Sequence, residues 1–102
     1  MSLKEVICEA IDNKNLLRFE YHNYDRIVEP HLLGRDKSDN DVLSAYLIAG
    51  FTKSSDPRYW RRYLLKDIRS LTKLNRRFER SRRGYNPNDP TMAEIHCRLD
   101  RS

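Results

Sequence analysis

The sequence predicts a mainly β protein: a strongly bent antiparallel sheet or small barrel, preceded by one α-helix and followed by a basic C-terminal extension. Three observations carry this reading. Apolar residues at helical spacing occupy the first dozen positions, and from Leu16 onward the apolar period drops to two. The links between the alternating segments are too short for crossover helices, which favours antiparallel pairing. At 102 residues, 38% of them hydrophobic, the chain amounts to one domain with a modest core. Residues 1–75 are read as the helix and barrel, and 76–102 as the basic extension packing on the same domain.

Ser2 followed by Glu5 makes a capping box, and Leu3, Val6, Ile7, Ala10 and Ile11 form the apolar face of the helix, which should stop near Asn13 and Asn15. In the first strand Leu17, Phe19 and Tyr21 alternate with Arg18, Glu20 and His22, the pattern of a half-buried strand. Asn23 to Asp25 supplies a polar turn. The second strand, Arg26 to about Gly34, contains Pro30, which cannot donate to a ladder and so implies an edge or a bulge. Arg35 to Asp41 reads as a hairpin loop. Val42 to Ile48 is the most β-like segment and looks covered on both faces. Gly50 and the loop Lys53 to Pro57 precede a fourth strand, Tyr59 to Leu65, and a fifth is placed at Ser70 to Leu74. Asn75 to Arg83 is a basic segment around Phe78, and Asn86 to Pro90 reads as a rigid turn returning the chain to the sheet.

Charge is distributed unevenly. Eleven of the twenty Lys and Arg residues lie between Arg58 and Arg83 against only Asp67 and Glu79, so this window carries +9, and the rest of a chain of net +5 sums to −4. One face is thereby suited to an anionic partner, a nucleic acid or a phosphorylated or acidic ligand. No apolar run reaches the roughly 20 residues of a membrane span, and the first residues lack a signal-peptide pattern, so a cytoplasmic protein without a membrane role is expected. On that compartment argument Cys8 and Cys97, far apart and without CxxC spacing, are expected to be reduced packing thiols.

Four short motifs, in order, resemble those of the WYL domain, a small SH3-like or Sm-like β-barrel of bacterial regulators and defence proteins. They are Leu17-Arg18-Phe19-Glu20-Tyr21 after the helix, Arg26-Ile27-Val28-Glu29-Pro30, Ala45-Tyr46-Leu47 in the place of the eponymous Trp-Tyr-Leu, and the stretch Arg61 to Ile68. Ala45 replaces the signature Trp, and Leu64, Lys66 and Asp67 depart from the usual pattern of the last motif. The chain also has no room for the upstream helix-turn-helix that many members carry. The resemblance implies a stand-alone ligand-sensing module of transcription regulation that binds nucleotide or nucleic acid through Arg26, Tyr46 and Arg61, with His31 beside them.

The residue chemistry points the same way. Arginine offers a planar fork that grips phosphate, and tyrosine or tryptophan offers a flat face on which a base stacks. Tyr46, Trp60, Arg61 and Arg62 interleave these properties, and Arg76 and Arg77 open a run that continues with Arg80, Arg82 and Arg83. The structural alternative is that Tyr21 and Tyr63 are core and that the basic run is a solvated face around Phe78. His22, His31, His96 and Cys97 lack metal-ligand spacing, and three scattered glycines form no phosphate loop, so no metal, cofactor or enzymatic activity is expected. Two rival readings stay open: an adaptor for an acidic protein partner, and a small nuclease using His22 and His31, which flank one turn. A homodimer through an edge strand and a regulatory protein partner also stay open.

Overall fold

The computed structural model describes residues 2–50 and 59–100; the expected loop Lys53 to Pro57 and Arg58 lie outside the described residues. Helix α1 (Leu3–Asn13) begins at the capping box, in which the Ser2 hydroxyl accepts the Glu5 N–H and the Glu5 carboxylate accepts the Ser2 N–H. It ends at Lys14, which turns the chain in the left-handed region at φ 59°. Its buried face is Ile7, Ala10 and Ile11, with Leu3 and Cys8 half-buried beside them.

Six strands follow: β1 (Asn15–Tyr21), β2 (Tyr24–Asp36), β3 (Asp41–Gly50), β4 (Trp60–Leu64), β5 (Ile68–Arg77) and β6 (Met92–Arg98), with a short 3-10 turn at Leu65–Asp67 between β4 and β5. Every pairing is antiparallel. The strand path is β4-β3-β2-β1-β5, and β6 joins it by pairing with β2. Among the described residues no ladder joins β4 to β5, so the sheet curls without closing. Its curvature is marked by Tyr63 of β4 meeting Phe19 and Tyr21 of β1 edge-on, at centroid distances of 5.0 and 4.8 Å. The Tyr21 hydroxyl also accepts the Leu64 N–H at 3.1 Å.

The length of β2 explains much of this shape. Its first half pairs with β1 up to Leu17↔Val28, and its second half pairs with β6 from Leu32↔Arg98 onward. Pro30 falls in the gap between these ladders, where no N–H is needed, and the register with β3 shifts between Pro30 and Leu32. Of the two readings of Pro30, the bulge is therefore realised. The hairpin from β1 to β2 turns on His22 and Asn23, both at positive φ, a two-residue turn of the kind that suits twisted strands. The turn thus sits one residue earlier than the sequence reading placed it, because Asp25 is already paired with Glu20.

Strand β6 is absent from the sequence reading. Its residues alternate weakly, and its pairing with β2 rests on Gly34, where an added Cβ would lie 2.6 Å from the Glu94 carbonyl oxygen. β6 also corrects the cysteine expectation. Cys8 of α1 and Cys97 of β6 form a disulfide with their Cα atoms 5.8 Å apart. Sequence spacing held no sign of this, because the two residues meet only after β6 has docked on β2 and α1 has packed across the same end of the sheet. No helix among the described residues is long and apolar enough to cross a membrane.

The core has two storeys. The inner face of the curled sheet carries Leu17, Phe19, Val28, Leu43, Ala45 and Tyr63, all at or near zero exposure. The outer face of β2, β3 and β4 is covered by the segment after β5. Phe78, Tyr85 and Leu99 are buried there, and the Phe78 N–H is anchored on the Lys14 carbonyl at 2.9 Å.

Candidate functional site

Strand register decides which of the sequence-selected residues meet. Across β2, β3 and β4 one row is Glu29, Tyr46 and Trp60, and the next is Pro30, Ala45 and Arg61. Paired residues share a face and successive residues alternate, so Tyr46 and Arg61 belong to opposite faces. Arg26 is buried opposite Phe19 on the inner face, its guanidinium near the Tyr21 and Tyr24 rings at 5.8 and 6.0 Å. Its Nη2 donates to the Tyr21 carbonyl at 3.3 Å, while its Nε and the Tyr63 hydroxyl are both buried without a hydrogen-bond partner among the described residues. Burial pushes the Tyr63 phenol up, against the opposing charges of Arg26 and Arg61, so it remains neutral. Arg26 and Arg61 therefore gather around Tyr63, and Tyr46 is not with them.

Tyr46 instead belongs to an aromatic group on the outer face. Its ring meets Trp60 edge-on at 5.6 Å and lies beneath the Arg82 guanidinium at 4.6 Å. Arg82 reaches Glu29 with two parallel bonds, Nε to Oε1 at 2.7 Å and Nη2 to Oε2 at 3.0 Å. The Glu29 side chain is only 5% exposed, so this fork supplies the positive charge a buried carboxylate requires. That carboxylate in turn holds the Arg82 guanidinium above its ordinary range.

His31 is fully buried between the same elements. Its Nδ1 donates to the Glu29 carbonyl at 2.8 Å, and its Nε2 accepts the backbone N–H of Arg82 at 3.0 Å. A carbonyl only accepts and an N–H only donates, so these partners assign the neutral Nδ1–H tautomer. Burial lowers its pKa below 6.5, outweighing the Glu29 carbonyl bond. The ring packs on Phe78, Trp60 and Tyr85. His22, by contrast, is exposed at the β1–β2 hairpin, stacked on Tyr21 and 3.5 Å from an Asp67 oxygen. The two histidines of the nuclease reading thus sit in different environments.

Two clefts flank the segment 82–86. The first has a volume of about 460 Å³ and is lined by Arg76, Arg77, Arg80, Arg82 and Arg83 together with Glu29 and Glu79. Among the described residues Arg76, Arg77, Arg80 and Arg83 make no ion pair, and all four are exposed. The second, of about 490 Å³, is lined by Leu32, Ser44, Trp60, Arg61, Arg62, Gly84, Tyr85, Asn86 and Asp89. The Trp60 indole N–H donates to the Arg83 carbonyl at 2.8 Å. Gly84, at φ +94°, lets the chain pass so close that a Cβ would stand 3.2 Å from that indole nitrogen. Arg62 donates to Asp89 at 3.2 Å. Burial would raise Asp89, but its bonds from Thr91 and the charge of Arg62 hold it below the usual carboxylate value. Arg61 Nη1 donates to the Trp60 carbonyl at 2.9 Å.

Sequence reading selected Trp60, Arg61, Arg62, Arg76 and Arg77, which line these clefts, and passed over Tyr85, Asn86, Asp89 and Ser44. The pattern Asn-Pro-Asn-Asp-Pro indicated a turn, and a turn is what Asn86 and Asp89 make by accepting the N–H groups of Asn88 and Thr91. Nothing local reveals that the turn also walls a cavity. Among the described residues no group of His, Cys, Asp or Glu side chains is arranged to hold a metal. The chain matches no family model, and comparison with curated proteins and with solved structures found no match.

Proposed function

We propose that the chain is a binding module that takes a nucleotide-type ligand or single-stranded nucleic acid, its curled sheet being an open variant of a WYL-like, SH3-like barrel. The single observation that carries this is the arginine cleft, lined by four exposed arginines that make no ion pair among the described residues, against Glu79 and the Arg82-bound Glu29. Four arginines without ion pairs outnumber the acids of this cleft, and such a cation excess suits a run of phosphates. Arg26 and Arg61 add a second locus at the inner mouth, where the unsatisfied Arg26 Nε and Tyr63 hydroxyl would gain from a polar ligand atom. A role in bacterial transcription regulation follows from the same family reading, whereas the cytoplasmic location expected from the sequence stands against the Cys8–Cys97 disulfide.

Binding of single-stranded DNA, RNA, duplex DNA and an acidic peptide, each measured across a salt series, tests the proposal. Engagement of four phosphates by the cleft gives a slope of log K against log salt of about −3 for single strands. Tight binding of the acidic peptide with no binding of any nucleic acid would transfer the cleft to an acidic protein partner. Arg61→Ala should weaken binding by roughly 1.5–3 kcal/mol if the inner locus participates.

A further inference from the structure

We infer that the cavity between Trp60, Ser44 and the 84–89 turn is a nucleobase pocket, an inference that rests on reading the adjoining arginine cleft as a phosphate site. The two clefts share one wall. Arg82 and Arg83 line the first, and the next three residues, Gly84, Tyr85 and Asn86, line the second. A ligand whose phosphate is held by Arg83 therefore has its neighbouring base at the mouth of the second cleft.

The chemistry of the second cleft fits a base better than another phosphate. Of its two arginines, Arg61 is half-buried and donates to the Trp60 carbonyl, and Arg62 is bonded to Asp89, which is held ionised and repels a further anion. The volume of about 490 Å³ accommodates a planar heterocycle with its sugar. Trp60 is half-buried with its indole N–H engaged by the Arg83 carbonyl, and the Tyr85 hydroxyl is engaged by the Leu99 carbonyl at 2.7 Å. Tyr85 is buried and backs the wall, while the half-buried Trp60, fixed by its polar tip, has only carbon surface to give, and that surface is what stacking uses. Around the rim, edge recognition is available. The Asn86 side-chain oxygen accepts Asn88 N–H, which leaves its amide N–H groups for a base acceptor. The Ser44 hydroxyl, which can donate or accept, and the remaining lone pairs of Asp89 face the same space.

The chain contains a single tryptophan, so Trp60 reports on this pocket in the unmodified protein. Three probes are titrated: a mixed-sequence single-stranded dodecamer, the same strand with abasic sites throughout, and inorganic polyphosphate. All three are expected to bind by competition anisotropy. Only the base-bearing strand is expected to quench Trp60, and to bind roughly tenfold more tightly than the abasic strand. Asn86→Ala combined with Ser44→Ala, verified as folded by circular dichroism, should lose this base-dependent advantage and keep the polyphosphate affinity. Equal affinity and equal quenching by the abasic strand would overturn the pocket while leaving the arginine cleft intact. Failure of all three probes to bind would overturn the phosphate reading and the pocket with it.

Discussion

Breaking the Cys8–Cys97 bond is the most demanding perturbation the fold suggests. The bond joins residues 89 positions apart, so it closes nearly the whole chain into one loop and removes a large share of the freedom of the unfolded state. For a loop of that size the chain-entropy account gives about 4.6 kcal/mol. With an unfolding entropy of roughly 2 cal/mol/K per residue, that corresponds to a fall in melting temperature of about 20 °C for a domain of this length. The loss should also be local in origin. Among the described residues β6 is hydrogen-bonded along only one edge, to β2, and its far end carries Leu99, whose N–H bonds the His31 carbonyl and whose carbonyl holds the Tyr85 hydroxyl. Thermal melts followed by circular dichroism, with and without a phosphine reductant and on the Cys8→Ala, Cys97→Ala double variant, measure the effect. Intact mass before and after reduction counts the two hydrogens gained. A native protein whose two thiols react with a thiol reagent before any reductant is added refutes the reasoning. So does a reduced protein that melts within about 5 °C of the oxidised one.

Further outcomes are expected from the outer-face contacts. His31 is neutral in the fold with its pKa depressed, so the unfolded chain binds its proton first; stability should be flat above pH 6.5 and fall as pH drops below it. His31→Gln, with an amide that can donate to the Glu29 carbonyl, should flatten that fall in urea titrations run from pH 7.5 to 5. Arg82→Ala strands the buried Glu29 carboxylate and should cost roughly 2–3 kcal/mol, at the low end for a buried pair because Arg82 is half exposed. Glu29→Ala frees an arginine that water can rehydrate and should cost about 1 kcal/mol; chemical denaturation of both variants checks the order, and a reversed order defeats the argument. Arg76→Ala with Arg77→Ala should weaken single-strand binding mainly at low salt and flatten the slope by about 1.4, since neither residue supports the core.

Much of the architecture was written in local pattern. The capping box, the burial of Leu17, Phe19 and Tyr21, the core roles of Tyr21 and Tyr63, and the disruption at Pro30 all follow from side-chain periodicity and backbone chemistry, which act over a few residues and can be read along the chain. Charge did the same for the cleft: arginines crowded into one segment must lie near one another wherever that segment goes. Tertiary structure decided the rest because the relevant neighbours are distant in sequence. The register of β2, β3 and β4 put Tyr46 and Arg61 on opposite faces, although both lie in motif strands that pair with each other. Docking of β6 brought Cys97 to Cys8. The segment after β5 folded back over Glu29 and His31, turning a histidine selected for ligand contact into a buried, neutral anchor, and turning an Asn-Pro turn read as purely structural into the wall of a cavity. A sequence states what each residue can do; which of those capacities meet depends on strand register and on which surface the last segment covers.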